Sequence, residues 1–197
     1  MSISDLIKII EKKYGEWHKT DAYFYNCVQT RFSDSIYLNV IFFLDKTNSV
    51  LRFLKNNNCE TKNIKNFYSE CNGLTFFNHS LVIYGYCKVL EKGYIPLDAE
   101  ISNRNISIKN KNWDKHYISI GEYSNYAFCL KRNDSTGLIY VVNKNNNLIK
   151  RSFSDLEELI NYCVSEISKM YDSNGYKNNL SSEPKNWFKN MSFEDIF

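Results

Sequence analysis

After residue 80 the chain breaks into short apolar runs separated by turn residues. The runs are Leu81-Val-Ile-Tyr84, Tyr117-Ile-Ser-Ile120, Tyr126-Ala-Phe-Cys-Leu130 and Leu138-Ile-Tyr-Val-Val142. Each is four or five residues long and rich in β-branched and aromatic side chains, the mark of a strand. The last two flank Lys131-Arg-Asn-Asp-Ser-Thr-Gly137. A loop of such turn formers between two strand-like runs reads as a hairpin. A second turn at Asn143-Lys-Asn-Asn-Asn147 leads into Leu148-Ile149.

Helical signals flank this region. Leu6, Ile10, Tyr14 and Trp17 recur at helical spacing, with Lys8, Lys12 and Lys13 off that stripe. Residues 20 to 45 stay open: Tyr23-Phe-Tyr-Asn-Cys-Val28 and Ile36-Tyr-Leu-Asn-Val-Ile-Phe-Phe-Leu44 fit strands or a buried helix equally well. Asn48 or Ser49 opens a short helix through Leu51 and Leu54, and Asn56-Asn-Asn58 is a loop. Ile64, Phe67, Tyr68 and Cys71 fall at i, i+3, i+4 and i+7, and Gly73 after them reads as the positive-φ C-cap of a helix. Ser154-Asp-Leu-Glu157 fits a capping box. From there Leu156, Leu159, Ile160, Cys163, Ile167 and Met170 form one apolar stripe to about Tyr171, closed by Asn174-Gly175. Ser182-Glu-Pro184 reads as a short helix start, with Pro at N1.

Helices first, a run of strands, then a closing helix is an α+β pattern, with helices packed on a largely antiparallel multi-stranded sheet. At 197 residues this is one domain. Within it we distinguish an N-terminal helix and poorly assigned segment (1–47), a core (48–176) and a C-terminal aromatic tail (177–197). A hydrophobic fraction of 43% and an aromatic fraction of 16% exclude a disordered chain. Asparagine is the commonest residue, with 26 copies. Together with abundant Lys, Ile and Tyr it points to an AT-rich bacterial genome.

No apolar h-region of a secretory signal fits the N-terminus, where Asp5, Lys8 and Glu11 interrupt every apolar stretch. The longest apolar run, Val40 to Leu44, is far short of the roughly 20 residues a membrane span needs. The expectation is a cytoplasmic protein with no membrane partner. The six cysteines include no C-x-x-C pair, so no zinc site is expected, and a reducing cytosol leaves them as small buried hydrophobes.

Five stretches, in order, resemble the SMI1/KNR4 (SUKH) superfamily. They are Ile64-Lys-Asn-Phe-Tyr-Ser-Glu-Cys-Asn-Gly73; Ser80-Leu-Val-Ile-Tyr-Gly85; Tyr94-Ile-Pro-Leu-Asp-Ala-Glu-Ile-Ser-Asn103; Ile118-Ser-Ile-Gly-Glu122 with the two strands after it; and Ser152-Phe-Ser-Asp-Leu-Glu-Glu-Leu159. The resemblance covers about residues 48 to 176. It implies an α+β domain without a catalytic centre, metal or cofactor. Bacterial members look like immunity proteins that bind and block a cognate polymorphic or contact-dependent toxin domain. Fungal members are regulators and scaffolds, which is the alternative reading.

The residues themselves supply no competing chemistry. His18, His79 and His116 are not fixed beside any cysteine, and no nucleophile elbow, P-loop or zincin helix is present. No catalytic residue and no small-molecule substrate is expected. Net charge is only +3. The basic run from Arg104 to Lys115 is diluted by Asp114 and several Asn, which argues against a nucleic-acid binder. Aromatics suit a protein interface better. The candidate contacts are Tyr94, Trp113, Tyr117, Glu122, Tyr123 and Trp187. Four of them lie on or beside the strand near residue 120, and the expected partner is the C-terminal domain of a toxin.

Overall fold

The computed structural model describes residues 3–14, 18–20, 27–33, 36–42, 49–77, 80–85, 101, 105 and 115–170. Helix α1 spans Ile3–Tyr14. Strands β1 (His18–Thr20), β2 (Cys27–Ser33) and β3 (Ile36–Phe42) follow. Next come helices α2 (Ser49–Asn56) and α3 (Lys62–Glu70) and strands β4 (Leu74–Phe76) and β5 (Leu81–Ile83). Strands β6 (Tyr117–Tyr123), β7 (Tyr126–Lys131), β8 (Ile139–Asn143) and β9 (Ile149–Phe153) lead to helix α4, Leu156–Ser168.

Among the described residues the nine strands form one sheet in strict chain order, β1 to β9. Every pairing is antiparallel. The fold is therefore α+β, with helices on an antiparallel sheet. The described residues of the segment that sequence left open, 20 to 45, are strands, and Ile41 of β3 pairs with Leu74 of β4. Strand β4 is a further element that periodicity did not reveal. It is only three residues long, too short to establish a period.

One face of the sheet carries the core. Leu6 and Ile10 of α1, Leu54 of α2, Phe67 of α3 and Leu159 of α4 meet Phe76, Ile83, Phe128 and Val141 of the sheet in one buried cluster. Burying each large side chain this completely contributes about 1.5–3 kcal/mol. A smaller cluster lies apart: Ala127, Cys129 and Val142, with Tyr117, Tyr140 and Ile149 packed against them. Ala127 and Cys129 flank Phe128 in β7, and side chains alternate between faces along a strand, so this second cluster occupies the sheet's other face.

Two local corrections concern helix ends. The C-cap of α3 is Cys71, in extended backbone, and not Gly73. Gly73 does have positive φ (+100°), but it serves the turn into β4. A Cβ there would stand 2.7 Å from the Ile83 carbonyl oxygen, and one on Gly85 would stand 1.9 Å from that of Asn72. The two glycines let the turn lie directly on the end of β5. The N-cap of α4 is Asp155, one residue later than the Ser154 expected. Its carboxylate accepts from the Glu158 N–H at 2.8 Å, and the Glu158 carboxylate accepts from both Ser154 N–H and Ser154 Oγ at 2.8 Å. Asp155 thus makes the N-cap bond of a capping box, while Glu158 reaches back to Ser154, one residue before the cap.

The loop between β7 and β8 docks on the loop between α2 and α3. Asn133 N–H donates to the Asn58 carbonyl at 2.9 Å, and Arg132 donates to the carbonyls of Lys115 and Asn57. Asn58 and Asn133 both have positive φ, 56° and 61°. Asn tolerates that region better than most residues, so some of the asparagine excess has a structural use.

Candidate protein-interaction site

The candidate contacts separate in the structure. Tyr94, Trp113 and Trp187 lie outside the described residues. Tyr117, Glu122 and Tyr123 all belong to β6. Tyr123 is 5% exposed and sits in the main core, so it presents little surface to a partner. Tyr117 and Glu122 are half-buried, and the register places both on the face away from that core.

Tyr117 is fixed by its neighbours on that face. Its ring meets Tyr140 edge-on, with centroids 5.8 Å apart, a favoured aromatic geometry. Tyr140 in turn donates its hydroxyl to Asp134 Oδ2 at 2.9 Å. Asp134 Oδ1 accepts from the Thr136 N–H at 2.8 Å and from the Thr136 hydroxyl at 2.6 Å. Burial would raise the Asp134 pKa, but the Thr136 and Tyr140 hydrogen bonds and the Lys131 charge outweigh it and hold the carboxyl below its ordinary value. For Tyr140, burial and the bond to Asp134 push the phenol up to about 12. At neutral pH the pair is therefore a neutral phenol on a carboxylate.

Glu122 holds Lys144 at 3.1 Å across the neighbouring turn. The side chains are 16% and 29% exposed. A partly desolvated ion pair of this kind fixes geometry more than it adds stability.

Sequence reasoning missed Asn105, which shapes β6 itself. Its amide is buried and makes three hydrogen bonds. Nδ2 donates to the carbonyls of Ile101 and Ser119, and Oδ1 accepts from the Ser119 N–H. Only an amide can donate and accept in this way from one planar group. The nearest sequence signal was an Asn among many, which carries no information about burial.

Cys59, Cys71, Cys129 and Cys163 are all buried and unpaired in disulfides. Burial raises every one of these thiols, Cys59 to about 11 and Cys71 to about 12. A thiol that stays protonated is a poor nucleophile. Among the described residues no three His, Cys, Asp or Glu side chains are grouped to hold a metal ion. Among the same residues no helix is long and apolar enough to cross a membrane. No protein-family model matches the chain, and no curated protein matches it.

Proposed function

We propose that this chain is an immunity protein of the SMI1/KNR4 type, which binds a cognate toxin domain in the cytoplasm and neutralises it by occlusion. The reading is supported by the order of the five motifs along residues 64 to 159. The observation that carries it is the sheet face built by Tyr117, Tyr140, Glu122 and Lys144. It offers half-exposed aromatic rings already fixed by their neighbours and a preformed ion pair. Aromatic side chains held in place lose little entropy on binding and commonly anchor interfaces. Cys59, Cys71, Cys129 and Cys163, the cysteines whose side chains are described, are buried and protonated and offer no nucleophile for an enzymatic alternative.

The test is affinity capture. The immobilised protein is exposed to nuclease-treated lysate of the source cells at about 0.15 M salt, where weak surface charge effects are screened. One stoichiometric partner, the C-terminal domain of a large secreted protein, is the expected result. That domain should lose its toxicity in the complex. Many weak partners and no tight one would replace the immunity reading by the regulatory scaffold.

A further inference from the structure

We propose that β9 is a docking edge for an extended acidic segment of a protein partner, with Arg151 receiving a carboxylate of that segment. The proposal rests on the protein-binding reading above and specifies the chemistry of the partner.

Strand β9 ends the sheet order. It pairs with β8 through Ile139↔Phe153 to Val142↔Ile149, and among the described residues no strand pairs with its other side. Ile149, Lys150, Arg151 and Ser152 are all half-exposed. The outer edge of a strand presents backbone N–H and C=O groups to whatever strand is laid beside it.

Arg151 gives this edge its selectivity. Its guanidinium carbon lies 4.5 Å from the ring centroid of Phe153 and 4.5 Å from that of Tyr162. The two rings are tilted by 50°, with centroids 5.4 Å apart, and the guanidinium rests on both. Its Nε is shielded from solvent and has no hydrogen-bond partner among the described residues. Asp155 and Glu158 at the start of α4 direct their carboxylates to the helix cap, and no ion pair among the described residues joins an acidic side chain of α4 to Arg151. The result is a cation already stacked in one orientation, with its charge uncompensated by any ion pair among the described residues.

A guanidinium in this state is matched best by a carboxylate, which takes two parallel N–H donors at once. The stacking restricts the side chain before binding, so less entropy is lost when the partner arrives. Lys150 beside it adds a second positive charge to the edge, which works against basic strands and against self-pairing.

The experiment needs no toxin. The ¹⁵N-labelled full chain is titrated with a blocked Thr-Val-Glu-Val-Thr peptide and with its Thr-Val-Gln-Val-Thr twin. The expected result is that amides of residues 149–153 shift and exchange more slowly with the acidic peptide. Binding of the Gln twin should be weaker by about tenfold or more. Arg151→Gln should abolish the difference between the peptides, and Arg151→Lys should keep part of it. Equal affinity for both peptides, shifts elsewhere on the protein, or no binding would overturn the proposal. Stronger shifts of the same amides with a single-stranded oligothymidylate would overturn it too. The peptide pair is compared on the unaltered protein, so a variant that fails to fold does not obscure the answer. A Glu-selective edge with no toxin in the capture experiment would refute immunity and keep the edge, and the reverse outcome would do the opposite.

Discussion

Asn105 closes both backbone groups of Ser119 with a single amide: Nδ2 donates to the Ser119 carbonyl at 2.8 Å, and Oδ1 accepts from its N–H at 2.9 Å. The side chain does for this stretch of β6 what a neighbouring strand would do. Strand β5 reaches no further along β6 than Gly121, with Tyr84 N–H adding one bond to the Ile120 carbonyl. Asn105→Ala should leave two buried backbone groups without partners. The expected loss is about 2–6 kcal/mol in urea unfolding, at about 1–3 kcal/mol per buried unsatisfied group. Asn105→Asp should be no better, since a carboxylate would face the Ile101 and Ser119 carbonyls. A loss below about 0.5 kcal/mol for Ala would show that water replaces the amide.

Gly85 should not accept a side chain. The alanine Cβ would meet the Asn72 carbonyl oxygen at 1.9 Å, and that oxygen is backbone and cannot swing away. Gly85→Ala should cost at least the upper part of the about 1–3 kcal/mol range for overpacking. Thermal unfolding measures it directly.

Tyr117 and Tyr123 share a strand but should respond differently to truncation. Tyr123→Ala removes a core ring and should lower stability by about 3–5 kcal/mol, as for other large aromatic deletions. Tyr117→Ala should weaken a captured partner by about tenfold or more while costing much less stability. Calorimetric titration and melting of both variants separate the two roles. Equal loss of stability would assign Tyr117 to the core.

The Asp134 carboxyl titrates below its unfolded value, because its folded-state hydrogen bonds favour the charged form. Its contribution is therefore fully present above the unfolded pKa near about 4 and is lost as pH falls through the folded one. The group keeps part of its contact with solvent, so the contribution is at most about 1 kcal/mol. The urea midpoint of Asp134→Asn should lie below that of the parent at pH 6 and converge with it as pH drops below about 4. Parallel curves down to pH 2 would remove the charge from the account.

The raised thiol pKa values make a chemical prediction. At pH 7.5, Cys59, Cys71, Cys129 and Cys163 should resist alkylation in the native state and react at once in urea. Mass-spectrometric mapping after a short pulse checks this site by site. Rapid native labelling of Cys59 would show that the α2–α3 loop opens.

The sequence announced its helices because amphipathic spacing is a local signal. Ile64, Phe67 and Tyr68 mark α3, and all three are buried. The hairpin of β7 and β8 was equally plain, since its turn residues sit between two apolar runs. Strand β4 was not, because Leu74, Thr75 and Phe76 make too short a run to establish a period. The segment before residue 45 was ambiguous because short, mostly apolar runs suit either structure. Asn105 and Arg151 were out of reach for a different reason. Their roles depend on partners at Ser119 and Tyr162, 14 and 11 positions away, and on a geometry that no spacing rule encodes.

The strict chain order of the sheet also bears on how the protein reaches this state. Among the described residues each strand pairs only with its neighbour along the chain, so much of the sheet can zip up through short loop closures. Helix α4 is different: Asn63 at the start of α3 bonds the Ser154 carbonyl across 91 positions. That closure is the expensive one. Substitutions in the β6–β7 hairpin should therefore slow folding, whereas substitutions where α4 meets α3 should chiefly speed unfolding.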